Sequence, residues 1–161
     1  MEPDINITLR EITEDNFEAC AKLEVSEEQK NFVANNTRSL AHAWLYYAYA
    51  HPFAIYNGDE PVGFLMLHID KAKNAGFLWR FMIDKNHQGK GYGKAALRLA
   101  VEYFKSIIDT DEIQTSIVPG NEEAQKLYES FGFMLTGEVE DGEHVMALKL
   151  KKEDTANENR T

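Results

Sequence analysis

The segment Gln88-Gly89-Lys90-Gly91-Tyr92-Gly93-Lys94 joins an apolar stretch, Phe77 to Ile83, to an amphipathic stretch spanning residues 91–105. The apolar stretch predicts a strand, and the helical spacing of the apolar residues in the second stretch predicts a helix. A glycine-rich turn in this setting presents free backbone N–H groups at the positive end of the helix dipole, where phosphate binds. Lys90 and Lys94 add positive charge, so the turn predicts an anion site.

Two common phosphate-binding motifs do not fit this turn. A Walker loop needs four residues between its glycines and a hydroxyl residue after its lysine, whereas Gly89 and Gly93 enclose three residues and Ala95 follows Lys94. The dinucleotide fingerprint needs two residues between its second and third glycines, and here there is only one. The segment is therefore neither of these motifs.

The rest of the chain predicts an α/β (mixed α+β) domain over residues 1–150, in which a mixed sheet carries helices on its faces. Residues 151–161 are expected to form a frayed tail. The predicted strands are Ile5–Arg10, Phe53–Tyr56, Val62–Ile69, Phe77–Ile83, Ile113–Val118, Phe133–Val139 and Glu143–Leu150. The predicted helices are one capped by Thr13 or Asp15, then Ser26–Val33, Ser39–Tyr49, 91–105 and Asn121–Phe131.

Composition narrows the class of protein. A chain of 161 residues with 43% hydrophobic and 27% charged residues is typical of one soluble globular domain. The net charge of −10 disfavours nucleic acid as a partner. Neither a signal peptide at Met1–Asp4 nor an apolar run long enough to span a membrane is present, and Cys20 is the only cysteine. These features predict a cytoplasmic protein without disulfides or membrane partners.

The charge is unevenly distributed. Residues 71–105 carry eight lysines and arginines against two acidic residues, a net +6, so the remaining residues carry −16. This basic region indicates a small polyanionic ligand, and the acidic remainder suits a cationic one. A solvated basic helix face would explain the same pattern, and the composition leaves both interpretations open.

The glycine-rich turn resembles the Gln/Arg-x-x-Gly-x-Gly/Ala signature of the GNAT superfamily of acetyl-coenzyme A-dependent N-acetyltransferases, with Gln88, Gly91 and Gly93 at its fixed positions. Ile83-Asp84 and His87 precede the turn as in that family. A second segment, Asn121 to Phe133, is similar to the family element Asn-x-x-Ala-x-x-Leu-Tyr-x-x-x-Gly-Phe. The resemblance covers about residues 77–139. It implies the GNAT fold, a mixed but mostly antiparallel sheet of six or seven strands with helices on both faces.

The resemblance also implies how acetyl-CoA binds. In this superfamily the fourth and fifth strands separate, and the pantetheine arm lies between them against strand backbone near Met82 and Ile83. A backbone N–H near Met82 would donate to the thioester carbonyl. The amides of residues 88–94 would surround the pyrophosphate. The implied cofactor-binding residues are Met82, Ile83, Gln88, Gly89, Lys90, Gly91, Tyr92, Gly93, Lys94, Asn121 and Lys126.

Tyr128 is the candidate general acid. Asn121, Gln125 and Tyr128 are spaced i, i+4 and i+7, which places them on one helix face. A phenol with a pKa of about 10 can protonate a departing thiolate held close to it, whose pKa is about 8.5 with cysteine as the model. The alternative is a core tyrosine that packs beside Phe131.

The acceptor amine must lose a proton before it attacks. Neutralising an alkyl amine of pKa about 10.4 at pH 7 costs about 4.6 kcal/mol, so a carboxylate or a water chain must carry the proton away. Glu24, Glu27 and Glu28 are the candidate carboxylates, and Trp44 could add a cation–π contact. The stretch from Leu23 to Val33 resembles the same region of bacterial spermine/spermidine and diamine N-acetyltransferases. A solvated acidic face beside core aromatics is the alternative for these residues.

The sequence therefore predicts direct transfer of acetyl from acetyl-CoA to a small polyamine-like primary amine by a monomer or homodimer. No metal site is expected, because the five histidines and Cys20 lack ligand spacing. An aminoglycoside-like antibiotic or a protein amine remains an alternative acceptor. A module that binds acyl-CoA without turnover remains an alternative function.

Overall fold

A computed structural model describes residues 5–150, and the expected tail at 151–161 lies outside the described residues. The strands are β1 (Ile7–Glu11), β2 (Ala50–Asn57), β3 (Glu60–Asp70), β4 (Ala75–Ile83), β5 (Glu112–Ile117), β6 (Met134–Glu140) and β7 (Glu143–Lys149). The helices are α1 (Phe17–Lys22), α2 (Asn36–Leu45), α3 (Tyr92–Ile107) and α4 (Glu122–Phe131), with a short 3₁₀ helix at Glu27–Gln29.

The seven strands form one sheet in the order β1-β2-β3-β4-β5-β7-β6. Every neighbouring pair is antiparallel except β4 and β5, which are parallel. The predicted mixed, mostly antiparallel sheet is thus confirmed. No helix within residues 5–150 is long and apolar enough to cross a membrane.

Both faces of the sheet are covered, because side chains along a strand alternate between two cores. On the side that we call the α3 face, Leu65 and Leu67 pack in the core that contains Phe104 of α3 and Tyr128 of α4. The opposite side is called the α2 face. There, Phe64, Met66, Cys20 and other buried residues form a second core, against which Leu40 of α2 packs. The prediction of helices on both faces is confirmed.

The parallel pair at the centre of the sheet is very short. Only Phe77 with Gln114 and Leu78 with Thr115 are paired between β4 and β5. β4 continues to Ile83, while β5 ends at Ile117, so the two strands separate beyond the second pair. A break in the β3–β4 register, where Met66 pairs with Arg80 and Leu67 with Leu78, lies at the same level. The separation opens the sheet from one face to the other.

Three predicted helix boundaries are wrong. The Ser26–Val33 helix is only the 3₁₀ turn at Glu27–Gln29, since none of these residues is buried and a helix without a buried face gains little from packing. The third helix begins at Asn36, because Asn35 Oδ1 caps it by accepting from the Arg38 N–H (2.8 Å). It ends at Leu45, since the chain turns and enters β2 at Ala50.

The start of α1 also differs from the prediction. Its N-cap is Asn16, and neither Thr13 nor Asp15 caps it. The Asn16 side chain turns back instead, so that Oδ1 accepts from the Thr13 N–H (2.8 Å) and Nδ2 donates to the Glu11 carbonyl (3.0 Å). The asparagine thus closes the loop between β1 and α1, a local role that competes with capping.

Candidate functional site

A cleft of about 770 Å³ lies where β4 and β5 separate. This volume falls within the range of about 300–1,000 Å³ found for small-molecule sites. The cleft walls come from both strands, the glycine-rich turn, α4 and the segment around residues 29–38. The predicted site residues that line it are Met82, Ile83, Gln88, Gly89, Gly91, Tyr92, Gly93, Lys94, Asn121 and Tyr128. Lys90 and Lys126 are exposed and do not line it.

The glycine-rich turn leads into α3 with two residues in the left-handed region. Gly89 has φ of 77° and Gly91, the N-cap of α3, has φ of 85°, a conformation that glycine adopts without strain. The first bond of the helix runs from the Ala95 N–H to the Gly91 carbonyl, so the amides of residues 92–94 have no partner within the helix. These amides and the Lys94 ammonium can bind an anion at this end of the cleft.

Gln88 holds this turn against the neighbouring segments. Its Nε2 donates to the Ile83 carbonyl (2.9 Å) and to Gln29 Oε1 (2.8 Å). Gln29 in turn donates to Glu123 Oε2 of α4 (2.6 Å). The end of β4, the 3₁₀ helix and α4 are therefore joined around the cleft by a hydrogen-bond network.

The strand register decides which backbone groups of β4 face the opening. The Asp84 N–H donates to the carbonyl of Val62 in β3, so the backbone of Asp84 points toward β3. Because successive residues alternate in direction, Met82 also faces β3, whereas Phe81 and Ile83 face the opening. The bond from Gln88 to the Ile83 carbonyl agrees with this direction. The backbone N–H that faces the opening in this region is thus that of Phe81, one residue before Met82.

Tyr128 lies at the centre of the cleft wall on the α3 face. It is only 6% exposed, and its ring packs against those of Phe133 (5.5 Å between centroids) and Phe81 (6.3 Å) rather than against Phe131. Burial raises the pKa of Tyr128 well above its usual value, and a hydrogen bond with the Thr115 side chain offsets this only in part. The hydroxyl therefore stays protonated at neutral pH.

The face of α4 that lines the cleft differs slightly from the predicted one. Asn121 lines the cleft and caps α4, with Oδ1 accepting from the Ala124 N–H (3.4 Å). Ala124 and Leu127 complete this wall with Tyr128. Gln125 does not line the cleft and donates to Glu129 Oε1 instead (2.8 Å). The predicted grouping of Asn121 with Tyr128 holds, but Gln125 lies outside it.

The acidic residues expected to bind the acceptor lie outside the cleft. Glu24 pairs with Lys85 (2.6 Å), and the hydrogen bond from Lys85 lowers the pKa of Glu24. Glu27 pairs with Lys30 (2.6 Å), and Glu28 is exposed. Trp44 is 77% exposed and does not line the cleft either. The structure thus places all four residues on the surface, three of them as a solvated acidic face.

Other charged residues line the cleft on the α2 face. Arg80 is half-buried, with Nη2 3.3 Å from His42 Nδ1 and its guanidinium over the Trp79 ring. Desolvation lowers the pKa of Arg80, Arg38 lowers it further, and Glu143 opposes both. Glu143 lies at the start of β7 and accepts a hydrogen bond from Ser116 Oγ (3.3 Å). Sequence reasoning missed Glu143, because no local motif distinguishes it from Glu138, Glu140 and Asp141 just before it.

No group of three or more histidine, cysteine, aspartate or glutamate residues within the described range could hold a metal ion. The candidate site consists of the glycine-rich turn with its free helix amides, the backbone of Phe81 and Ile83 facing the opening, and the hydroxyl of the buried Tyr128. Charged side chains complete it on the α2 face.

Comparison with known proteins agrees with this architecture. Residues 8–133 match the model of the Acetyltransferase (GNAT) family. The chain therefore belongs to the GNAT family of N-acetyltransferases. A probable spermine N(1)-acetyltransferase from Bacillus subtilis subsp. natto is 33% identical over 153 residues, which cover 91% of this chain and all of the relative.

Solved structures share the fold. A spermidine N-acetyltransferase from Vibrio cholerae, in complex with CoA and spermine, matches with a TM-score of 0.71 and 18% identity, over 89% of this chain and 95% of that one. The aminoglycoside acetyltransferase AAC(6')-Ib, in complex with coenzyme A, matches with a TM-score of 0.73 and 19% identity, over 97% of this chain and 100% of that one. The two structures support the same fold about equally.

Proposed function

We propose that this chain transfers the acetyl group of acetyl-CoA to a primary amine of a small polyamine or diamine by direct attack on the thioester. One observation carries the proposal: a single cleft connects an anion-binding turn, the opening between β4 and β5, and a buried tyrosine hydroxyl. The polyamine acceptor is supported by the 33% identical relative named as a spermine N(1)-acetyltransferase.

The residues of the cleft fit coenzyme A. The helix amides of residues 92–94 and the Lys94 ammonium supply donors for a diphosphate. The inward-facing Phe81 backbone and the Ile83 N–H suit the amides of an extended pantetheine arm, because an unpaired strand edge binds such groups, whereas the Ile83 carbonyl already accepts from Gln88. Bound acetyl-CoA would supply the activated acyl group. The Phe81 N–H would then donate to the acyl oxygen as negative charge develops there.

Tyr128 acts in this proposal as the general acid. Its hydroxyl donates a proton to the sulfur as the carbon–sulfur bond breaks, which spares the enzyme an unprotonated thiolate in a dry site. Its position in the cleft wall supports this role, and burial, which raises the pKa of Tyr128, keeps the hydroxyl protonated throughout the neutral range. Tyr128 lies on the α3 face, so the amine approaches from the α2 face.

Direct transfer is supported by the state of the cysteine. Cys20 is fully buried in the α2-face core and does not line the cleft. Burial raises the pKa of this thiol to about 11, which leaves it without nucleophilic character near neutral pH. The proposed cytoplasmic location agrees with this single reduced thiol.

A coenzyme A release assay over a panel of amines tests the proposal. Spermine, spermidine and putrescine are expected to release thiol faster than an aminoglycoside or a peptide with a free amine. A preference for the aminoglycoside would assign the alternative acceptor. If CoA binds by calorimetry and no amine releases it, the chain is a non-catalytic acyl-CoA-binding module.

A further inference from the structure

Glu143 is an acidic residue of the cleft that faces the side proposed for the acceptor. Along β7, Met146 and Leu148 pack in the core on the α3 face. Side-chain alternation therefore places Glu143 and Val145 on the α2 face. Ser116 lies on that face too, because Ile113 and Ile117 of β5 pack on the α3 face, and its hydroxyl reaches the Glu143 carboxylate.

Two cations share this part of the cleft with Glu143. Arg38 lies on α2 and Arg80 on β4, and both line the same cleft. Two nitrogens of Arg80 already have partners within the protein: Nη2 lies 3.3 Å from His42 Nδ1, and Nη1 donates to the Trp79 carbonyl (3.2 Å). Only its buried Nε lacks a partner among the described residues.

The Glu143 carboxylate has fewer hydrogen-bond partners than the Arg80 guanidinium. Within residues 5–150, the hydroxyl of Ser116 is the one hydrogen-bond donor to its carboxylate, at the long distance of 3.3 Å. A carboxylate has room for more donors than this. An incoming ammonium group is a donor of the right charge, and it would meet Glu143 in the cleft, next to the point where β7 pairs with β5.

We propose that Glu143 is the carboxylate that binds the ammonium group of the acceptor, with Ser116 orienting it. This proposal rests on the amine acetyltransferase activity proposed above and names the residue that recognises the amine. Arg80 acts on the acceptor nitrogen in the opposite direction from Glu143, because a nearby cation disfavours the protonated form of the amine. Glu143 thus favours binding of the ammonium form, while Arg80 favours its deprotonation.

The reaction balances without another reactant. The bound ammonium group loses one proton to water, and the neutral nitrogen forms the bond to the acyl carbon. The carbon–sulfur bond breaks, the sulfur takes the proton of Tyr128, and the nitrogen gives up its second proton to solvent, which returns one to Tyr128. Glu143 binds the ammonium form through its charge and takes no part in the bond changes.

A matched pair of substrates tests the assignment. Putrescine and ornithine have related carbon chains, and ornithine carries an additional carboxylate. We expect the wild type to prefer putrescine. Glu143→Gln should raise the KM for putrescine about 10- to 100-fold, because one hydrogen bond to a charged group is lost. The dissociation constant of CoA, measured by calorimetry, should not change, which also shows that the variant is folded.

Glu24→Gln is the control, because it removes a carboxylate outside the cleft and should leave the KM for putrescine unchanged. An unchanged KM in Glu143→Gln would overturn the proposal. So would a wild-type preference for ornithine that Arg80→Gln abolishes, since the arginines would then hold an anionic acceptor. If the wild type acetylates no amine at all, the proposed function itself fails, which is a distinct result.

The pH profile of kcat supplies a second readout. The charged and titratable groups around the acceptor position include Arg38 from α2, Arg80 from β4 and Glu143 from β7, with His42 against Arg80, and Lys30 and Tyr128 line the same cleft. Loss of the Glu143 charge should shift the acidic limb of the profile to lower pH, because the bound amine then deprotonates more easily. Arg80→Gln should shift it to higher pH. Equal shifts in one direction, or none, would contradict the assigned positions.

Discussion

Thr115 Oγ1 donates a 2.9 Å hydrogen bond to the carbonyl of Leu78, its partner in the second and last residue pair between β4 and β5. Thr115 is 1% exposed, and its side chain also hydrogen-bonds with Tyr128. One buried hydroxyl therefore marks the point where the strands separate and contacts the proposed general acid. The position of the opening and that of the tyrosine are coupled through this residue.

Thr115→Val should destabilise the protein, because it leaves the Leu78 carbonyl without a donor in a buried site. The expected loss is about 1–3 kcal/mol in the free energy of unfolding, measured in urea. Thr136→Val is the matched control, since Thr136 makes a similar bond to the Val145 carbonyl (3.2 Å) from an exposed strand position. Its effect should stay below about 0.5 kcal/mol. Equal losses in the two variants would contradict a structural role for the buried bond.

Tyr128→Phe should reduce kcat about 10²- to 10⁴-fold, the usual contribution of a positioned general acid. The affinity for CoA should change little, because the ring and its packing remain. Thiol release gives kcat, and calorimetry gives the dissociation constant. Tyr103→Phe is the control, since it removes a hydroxyl bonded to His51 (2.9 Å) outside the cleft. Unaltered turnover in Tyr128→Phe would remove Tyr128 from its proposed role.

Gly89→Ala should weaken CoA binding about tenfold or more by disturbing the turn that presents the helix amides. Gly58→Ala is a close match, because Gly58 has φ of 61° in the β2–β3 turn and, like Gly89, has open space where a Cβ would stand. Both variants should lose about 1–2 kcal/mol of stability from the strained backbone. Only Gly89→Ala should lose affinity for CoA, and an equal change in both would place the diphosphate elsewhere.

Cys20 should react slowly with Ellman's reagent in the folded protein. Burial raises the pKa of the thiol to about 11, so at pH 8 the thiolate is on the order of one part in a thousand. In 8 M urea the exposed thiol should react completely within the time of the assay. Rapid reaction of the folded protein would show that the α2-face core opens readily. Slow reaction also means that Cys20 does not disturb the thiol-release assays.

The anion-binding turn could be predicted from the sequence because its structure is local. Gly89 and Gly91 adopt positive φ, and α3 begins at Tyr92, one residue after the start predicted from the apolar spacing. The predicted helix Asn121–Phe131 likewise forms, as α4 (Glu122–Phe131) with Asn121 as its N-cap. The failed prediction at Ser26–Val33 has a nonlocal cause, because whether a short amphipathic segment stays helical depends on the surface available to bury it.

The sequence by itself determined the GNAT family, the strand–turn–helix at which we propose the anion site, and Tyr128 as the candidate acid, since each depends on residues close together in the chain. Only the tertiary structure decided that Phe81 rather than Met82 turns its N–H into the opening, and that Glu143 lines the cleft while Glu24, Glu27 and Glu28 do not. The physical reason is that backbone direction depends on the register between β3 and β4, and charge placement depends on how β5 pairs with β7. The β5–β7 pairing joins strands separated by α4 and β6, and the β3–β4 register shifts between Met66 and Leu67, and no local pattern specifies either.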